Sequence, residues 1–238
     1  MFVSCQCITY GRPELLEEAI ESFHRQDYED KELIILNDHP EQELVYEHPQ
    51  VTVINIPRRF STVGEKRNAC VSLCRGDVIF PWDDDDISLP WRISLSLKYK
   101  GDKRYFKNKR AWIWQNGQIT KLQHNVYHAM GCWDKSLFQE VDGYPHIQSG
   151  QDCAIEKRFA KIERQVKQIP DGEVYYIYKF GGTGHIHLSS CGWDKGWNEI
   201  GKEKTENTGR IELKPNWKQD YLQEINNGNN MYINNNCP

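Results

Sequence analysis

Four short apolar segments in the first ninety residues alternate with segments of helical character. The apolar segments, typical of buried strands, cover residues 2–9, 31–36, 51–56 and 78–82. Between them, the chain from Pro13 onward and residues 64–74 place apolar side chains at helical spacing, and Pro13 suits the first turn of a helix. This strand–helix–strand order predicts an α/β fold in which a mostly parallel sheet carries helices on both faces.

Polar side chains follow three of these predicted strands at the point where each strand ends. Tyr10 and Arg12 follow the first strand, Asn37 and Asp38 follow the second, and residues 83–86 follow the fourth. Ligands of open parallel sheets bind outside the carboxyl ends of the strands. We therefore expect these side chains to converge on one cleft.

Residues 83–86 are all aspartate, and they come directly after the apolar run 78–82. Four neighbouring carboxylates repel one another and raise one another's pKa unless a cation or hydrogen-bond donors lie nearby. Oxygen ligands of this kind bind hard divalent cations such as Mg²⁺ or Mn²⁺. The alternative is a solvated acidic loop, but a loop of that kind does not normally leave a buried strand and run straight into another apolar segment.

Basic residues lie between the third and fourth predicted strands. Arg58, Arg59, Lys66 and Arg67 give this region a positive character that suits a diphosphate held beside a cation. Arg67 is favoured because it lies on the helix that follows Gly64 and points at the same strand ends. Ordinary surface charge is the alternative for Arg58 and Arg59.

The second half of the chain is less regular. The pattern predicts, in order, a hairpin at 111–122, a strand at 126–130, helices at 136–141 and 152–167, and a strand at 173–180. From residue 201 onward the sequence becomes polar and rich in asparagine, so we expect an extension, 201–238, that buries little surface and packs loosely.

Composition excludes several classes of protein. The net charge of −4 calls for neither nucleic acid nor an acidic membrane as a partner. No apolar run reaches the ~18–20 residues of a transmembrane segment, and the start of the sequence lacks the pattern of a signal peptide. The eight cysteines include no CxxC pair, so free thiols in a reducing compartment are expected. These features predict a cytoplasmic protein, with a peripheral membrane location left open.

Several motifs together resemble family 2 glycosyltransferases, which have the GT-A fold. The matching segments occur in the family's order, from about residue 2 to about residue 190, at residues 9–13, 36–38, 64–69, 83–90, 141–144 and 150–152. The resemblance implies a single GT-A domain over residues 1–200, with a nucleotide-sugar-binding half at 1–90 and an acceptor and catalytic-base half at 91–200. The first half would be Rossmann-like, and the second a smaller mixed region.

The resemblance also implies roles for individual residues. On the donor side, Tyr10 would stack on the nucleotide base, Asp38 would accept a hydrogen bond from a ring N–H, and Asp83 would contact the ribose. Asp85 would bind the cation, Mn²⁺ or Mg²⁺, that bridges the diphosphate. Asp152 would deprotonate the acceptor hydroxyl, giving inversion in a single displacement. The remaining donor-side residues are Thr9, Arg12, Lys66, Arg67 and Asp84. Of these, Asp84 is expected to point away from the cation, and its neighbour Asp86 to orient the following turn.

Two residues depart from the family pattern. Gln151 stands where the family usually has a glutamate before the catalytic base, which leaves Asp152 with less like-charge repulsion. Asn37 stands where an aspartate is common before Asp38, which removes one charge near the nucleotide base or the ribose.

Two further groups of residues are candidates for ligand contacts. A glycine-rich segment, residues 181–189, carries His185 and His187, of which His187 is the better candidate for completing the metal shell. A hydrogen-bonded loop histidine is the alternative. Trp133 and Trp193 are candidates for stacking on an acceptor sugar, although most tryptophans pack in cores.

The sequence therefore predicts a cation-dependent inverting glycosyltransferase with a nucleotide-diphosphate-sugar donor, UDP favoured, and a carbohydrate or glycoconjugate acceptor. A nucleotidyltransferase is one alternative, although residues 9–12 are a poor version of its glycine-rich basic turn. A non-catalytic nucleotide- or carbohydrate-binding module on the same fold is the other. The sequence leaves the sugar, the acceptor and the oligomeric state open.

Overall fold

The computed structural model describes residues 1–124, 128–163, 169–179 and 207–234. The helices are α1 (Pro13–His24), α2 (Val63–Leu73), α3 (Arg92–Lys100), α4 (Lys135–Glu140), α5 (Gln151–Ile162) and α6 (Tyr221–Asn234). The strands are β1 (Val3–Thr9), β2 (Lys31–Asn37), β3 (Gln42–Val45), β4 (Val51–Asn55), β5 (Val78–Pro81), β6 (Ile87–Ser88), β7 (Tyr105–Lys107), β8 (Arg110–Gln115), β9 (Gln118–His124), β10 (Gly131–Asp134), β11 (Tyr176–Lys179) and β12 (Gly209–Glu212).

The central sheet is mostly parallel, as the strand–helix alternation predicted. Its strand order is β4-β2-β1-β5-β10-β7. The four strands from the first ninety residues run parallel, while β10 pairs antiparallel with both β5 and β7. The carboxyl ends of β1, β2 and β5 therefore lie at the same edge of the sheet, and that edge carries the predicted polar side chains.

The central sheet separates two apolar cores. On one face Cys5 and Cys7 of β1 pack with the apolar face of α1, including Leu16 and Phe23. On the other face the side chains of β2, β5 and β10 pack against α2 and α5, where Phe159 is fully buried. All six described cysteines are free thiols, and five of them are buried, so they act as small apolar core residues.

A second sheet of order β6-β11-β8-β9 contains the predicted hairpin, whose turn Asn116-Gly117 has positive φ at both residues. Three sequence predictions in this half need correction. Residues 128–130 form a 3-10 helix instead of a strand, and α5 ends at Ile162 instead of continuing to 167. The predicted strand at 173–180 begins only at Tyr176, after a 3-10 turn at Asp171–Glu173.

The expectation of a loosely packed tail is wrong for residues 207–227. β12 pairs parallel with β3, which lies almost 170 residues earlier in the chain. Leu213, Tyr221 and Ile225 are buried in the core that contains α1. The polar composition concealed this packing because a few apolar side chains are enough to dock a segment that is otherwise hydrophilic. None of the described helices is long and apolar enough to cross a membrane.

Candidate active site

The four aspartates that follow β5 take four different sets of partners. Asp84 accepts a hydrogen bond from Thr9 Oγ1 at 2.6 Å and forms an ion pair with Arg12. Asp85 pairs with Arg12 Nη1 at 2.5 Å. Asp83, the most exposed of the four, lies 3.4 Å from Arg67 Nη2. The repulsion between these carboxylates is thus offset by two guanidinium groups and a hydroxyl.

The last aspartate of the block, Asp86, reaches a different sheet. It accepts a hydrogen bond from the Tyr176 hydroxyl at 2.5 Å and from the Lys179 backbone N–H at 2.8 Å, both on β11. This side chain is 3% exposed. Asp86 therefore joins the acidic block to β11, a role that sequence reasoning had not assigned.

Arg12 lies directly against the acidic block. Burial alone would lower the pKa of Arg12, but the carboxylates of Asp84 and Asp85 raise it above the usual value, so the guanidinium stays charged. The resemblance implied that Arg12 contacts the donor. In the structure its planar fork holds two aspartates of the acidic block, and the donor contact stays a prediction.

A second buried ion pair holds Asp38 at the end of β2. Lys66 Nζ donates to Asp38 Oδ1 at 2.5 Å and also to the Thr9 carbonyl at 2.5 Å. Burial lowers the pKa of Lys66, and the charge of Asp38 acts in the opposite direction. Asp38 also pairs with Arg59 at 3.1 Å. Lys66 thus ties the end of β1 to the end of β2.

The ring of Tyr10 contacts side chains from two other segments. The Arg59 guanidinium carbon is 3.4 Å from the centroid of the ring, and the His39 ring centroid is 4.6 Å from it. Arg59 was assigned only to a general basic character or to surface charge in the sequence. Its contact with both Tyr10 and Asp38 depends on the path of the loop after β4.

Arg67 pairs with the acidic block, and its pKa is also raised by the charge of the predicted base, Asp152. Burial would lower the pKa of Arg67, but Tyr144, Asp83 and Asp152 raise it above its usual value. The guanidinium carbon lies 5.8 Å from the centroid of the Tyr144 ring. The helix that carries Arg67 begins close to the 145–147 loop, because the Gly64 backbone N–H donates to the Ile147 carbonyl at 3.2 Å.

Asp152 is the second residue of α5, where the positive end of the helix dipole favours a carboxylate. Its Oδ1 accepts the Cys153 backbone N–H at 2.7 Å. Burial raises the pKa of Asp152, but His128, the Cys153 N–H and Arg67 together lower it below the usual value. Because its pKa is lowered, Asp152 is ionised at neutral pH, as a proton acceptor must be, and the residue is partly exposed.

A buried polar network lies one helical turn beyond Asp152 on α5. Both carboxylate oxygens of Glu156 accept from Lys107 Nζ at 2.6 Å, and Oε1 also lies 2.9 Å from His128 Nδ1. The other ring nitrogen of His128 lies 2.7 Å from the Tyr144 hydroxyl. Sequence reasoning missed this network, although the spacing of 152 and 156 on one helix face was the available signal.

Trp133 must be withdrawn as a candidate for stacking on an acceptor. Its side chain has no exposed surface and packs against His128, Tyr144 and Phe159. A fully buried indole offers no face to a sugar ring. The other candidates from the second half of the chain, Trp193, His185 and His187, lie outside the described residues.

The resemblance implies a divalent cation at Asp85, with Asp83 on the ribose side of the donor. Within the described ranges, no group of three or more His, Cys, Asp and Glu side chains is arranged to hold a metal ion. The Asp85 carboxylate nevertheless fits Mg²⁺ or Mn²⁺ when water and substrate phosphates supply the other oxygens. The donor set at this position therefore suits a cation that binds together with a diphosphate.

Comparison with known proteins identifies similar sequences. Residues 4–160 match the model of Glycosyl transferase family 2. The chain is 26% identical over 206 residues to an uncharacterized glycosyltransferase of Bacillus subtilis, YwdF, and the match covers 76% of each chain.

Two solved structures share the fold. S. aureus TarS (residues 1–349) matches 75% of this chain with a TM-score of 0.58 at 14% identity, and the chain spans 60% of that structure. The mannosyltransferase PcManGT from Pyrobaculum calidifontis matches 74% of this chain with a TM-score of 0.54 at 14% identity, and the chain spans 56% of it. These likenesses confirm the predicted α/β fold of GT-A type. Because the family model covers the sheet, the acidic block and the start of α5, the chain belongs to the family 2 glycosyltransferases.

Proposed function

We propose that this protein transfers a sugar from a nucleotide-diphosphate-sugar, with UDP the favoured nucleotide, to a hydroxyl group of a carbohydrate or glycoconjugate, with inversion. The observation that carries the proposal is the position of Arg67. This guanidinium pairs with Asp83 of the acidic block and lies within electrostatic reach of Asp152. Arg67 is thus under the influence of both a donor-side aspartate and the candidate base, which supports a single site for donor and acceptor.

In the proposed reaction, Asp152 accepts the proton of the acceptor hydroxyl while the hydroxyl oxygen attacks the anomeric carbon of the donor sugar. The bond from that carbon to the diphosphate oxygen breaks, and the oxygen leaves with the electron pair. A divalent cation at Asp85 would neutralise charge on the leaving diphosphate. Arg67 stabilises charge in the same cleft, and its planar fork suits phosphate oxygens as well as carboxylates.

Two solved structures of the same fold bear on the choice of donor. TarS has been solved in complex with UDP and with UDP-GlcNAc, and PcManGT in complex with GDP-Man and Mn²⁺. Those two relatives differ in nucleotide, so the fold does not select one. Asp38 suits a base that presents a ring N–H, which uracil, thymine and guanine all do. We retain UDP as the first donor to test.

The test combines binding with turnover. Calorimetric titration with UDP-, GDP- and dTDP-sugars, each with and without Mn²⁺, identifies the donor, and the absence of binding by all of them with metal present would refute the proposal. Asp152→Asn should then lower the rate of sugar transfer by roughly 10²–10⁴ while donor affinity is retained. Asp102→Asn, at an exposed position, is the matched control. Transfer by Asp152→Asn at the wild-type rate would exclude Asp152 as the base.

A further inference from the structure

Arg59 makes the two contacts that a nucleobase is expected to make in the donor site. Its guanidinium carbon lies 3.4 Å from the centroid of the Tyr10 ring, which is stacking distance for two planar groups. Its Nη1–H donates to Asp38 Oδ1 at 3.1 Å. A flat, delocalised group that stacks on Tyr10 and donates an N–H to Asp38 has the recognition chemistry of a base with a ring N–H.

The other partners of these two residues are fixed more firmly than Arg59. His39, the second group against the Tyr10 ring, is 2% exposed, and its Nδ1 accepts the Glu41 backbone N–H at 3.2 Å. Lys66, the second cation on Asp38, has a side chain only 6% exposed and a second bond to the Thr9 carbonyl. The Arg59 side chain is 44% exposed. It is therefore the partner that can leave at the smallest cost.

We propose that Arg59 is an internal ligand of the nucleobase subsite, which the base of the donor must displace in order to bind. The proposal rests on the proposed function, because it assumes that Tyr10 and Asp38 receive a base. It goes beyond that function by assigning to Arg59 a competing role, opposite to the attractive role that a basic residue near a diphosphate would ordinarily have.

The proposal also sets the class of base. Displacement of Arg59 removes an N–H donor from Asp38, so the incoming base must supply one in its place. Uracil and thymine carry a ring N–H at N3, and guanine carries one at N1. Cytosine and adenine present an unprotonated ring nitrogen at the corresponding edge, and this would face the Asp38 carboxylate without a hydrogen bond. Nucleotides of cytosine and adenine are therefore expected to bind worst.

The effect of Arg59 is measurable with a ligand that has no phosphate. Arg59→Ala should bind the free nucleoside, uridine in the first instance, about five- to tenfold more tightly than the wild type, a gain of about 1–1.4 kcal/mol. The size follows from the two interactions that are lost, since a stacked cation and a partly exposed ion pair are each individually weak. Uridine is the appropriate probe because the loss of a positive charge would weaken binding of a diphosphate for an unrelated reason.

Arg58→Ala is the matched control, because it removes the same charge from the neighbouring exposed position. Isothermal titration of the wild type and both variants with uridine, guanosine and cytidine should show tightening only for Arg59→Ala and only for the first two nucleosides. Thermal unfolding of each variant checks that the fold is intact. An unchanged or weaker affinity of Arg59→Ala for uridine and guanosine, or an equal gain in Arg58→Ala, would overturn the proposal.

The same titrations separate this inference from the proposed function. If neither the wild type nor Arg59→Ala binds a nucleoside or nucleotide-sugar, the proposed donor site itself is refuted. If the wild type binds a nucleotide-sugar and Arg59→Ala fails to bind the nucleoside more tightly, only the role of Arg59 is wrong.

Discussion

Substitution of Glu18 tests how the C-terminal segment is held to the rest of the fold. Glu18 lies in the middle of α1 and is 2% exposed. Its carboxylate pairs with the ammonium group of Lys179 on β11, and accepts the Tyr221 hydroxyl at 2.7 Å and the Lys218 backbone N–H at 2.9 Å. One side chain thus joins three segments that are far apart in the sequence.

The expected magnitude follows from the burial of both charges. Glu18→Gln keeps an oxygen that can accept the two neutral hydrogen bonds, but it leaves the Lys179 ammonium, whose side chain is 3% exposed, without its counter-charge. Removal of one member of a buried ion pair typically costs about 3–5 kcal/mol. Because domains of this kind have unfolding free energies of about 5–15 kcal/mol, the loss should be large in urea denaturation.

Two further variants make the result interpretable. Glu14→Gln changes an exposed glutamate on the same helix and should alter the free energy of unfolding by less than about 0.5 kcal/mol. The double variant Glu18→Gln/Lys179→Met removes both charges of this buried pair, so it should recover much of the lost stability. A cost below about 1 kcal/mol for Glu18→Gln, or a double variant less stable than the single one, would refute the reasoning.

Two other predictions concern the region around the candidate base. Gly64→Ala would place a Cβ 1.9 Å from the Pro145 carbonyl oxygen, so we expect the free energy of unfolding in urea to fall by about 1–3 kcal/mol. Gly172→Ala, whose Cβ would meet nothing within 4 Å, should leave the stability unchanged. Equal effects of the two substitutions would contradict the close packing of α2 on the 145–147 loop. Burial raises the pKa of Glu156, but other interactions lower it below the usual value of 4.5. The largest of these are the hydrogen bond and the charge of His128. A carboxylate with a lowered pKa stabilises the fold above the unfolded-state value, and this contribution is lost as the pH falls through the folded-state value. The unfolding free energy should therefore fall more steeply below about pH 4.5 in the wild type than in Glu156→Gln, and parallel pH profiles would contradict the assignment.

Much of the nucleotide-binding half could be predicted from the sequence. Periodicity of apolar residues gave β1, β2, β4, β5 and α2 to within one or two residues, together with the start of α1. The parallel order of those strands then required their polar ends to meet at one edge. The contacts of Thr9 with Asp84, and of Lys66 with Asp38, show that they do.

The pairing of individual side chains at that edge could not be predicted. The sequence indicated that Arg12 and Arg59 belong to a basic, polar region, but only the tertiary structure shows which groups they contact. Arg12 bonds to Asp84 and Asp85, more than 70 residues away, and Arg59 bonds to Asp38 and stacks on Tyr10. Local patterns carry no record of such pairs, because they depend on the directions in which loops leave the strands.

The sequence by itself determined the α/β class, the edge of the sheet where the site lies and the chemistry of its carboxylates. These properties follow from the period of the apolar residues and from residue type, which are local. Only the tertiary structure decided that the C-terminal segment is docked through Tyr221, that Trp133 is a core residue and that Glu156 anchors the helix of Asp152. Those outcomes depend on which distant surfaces bury one another, a property of the whole chain that no single segment encodes.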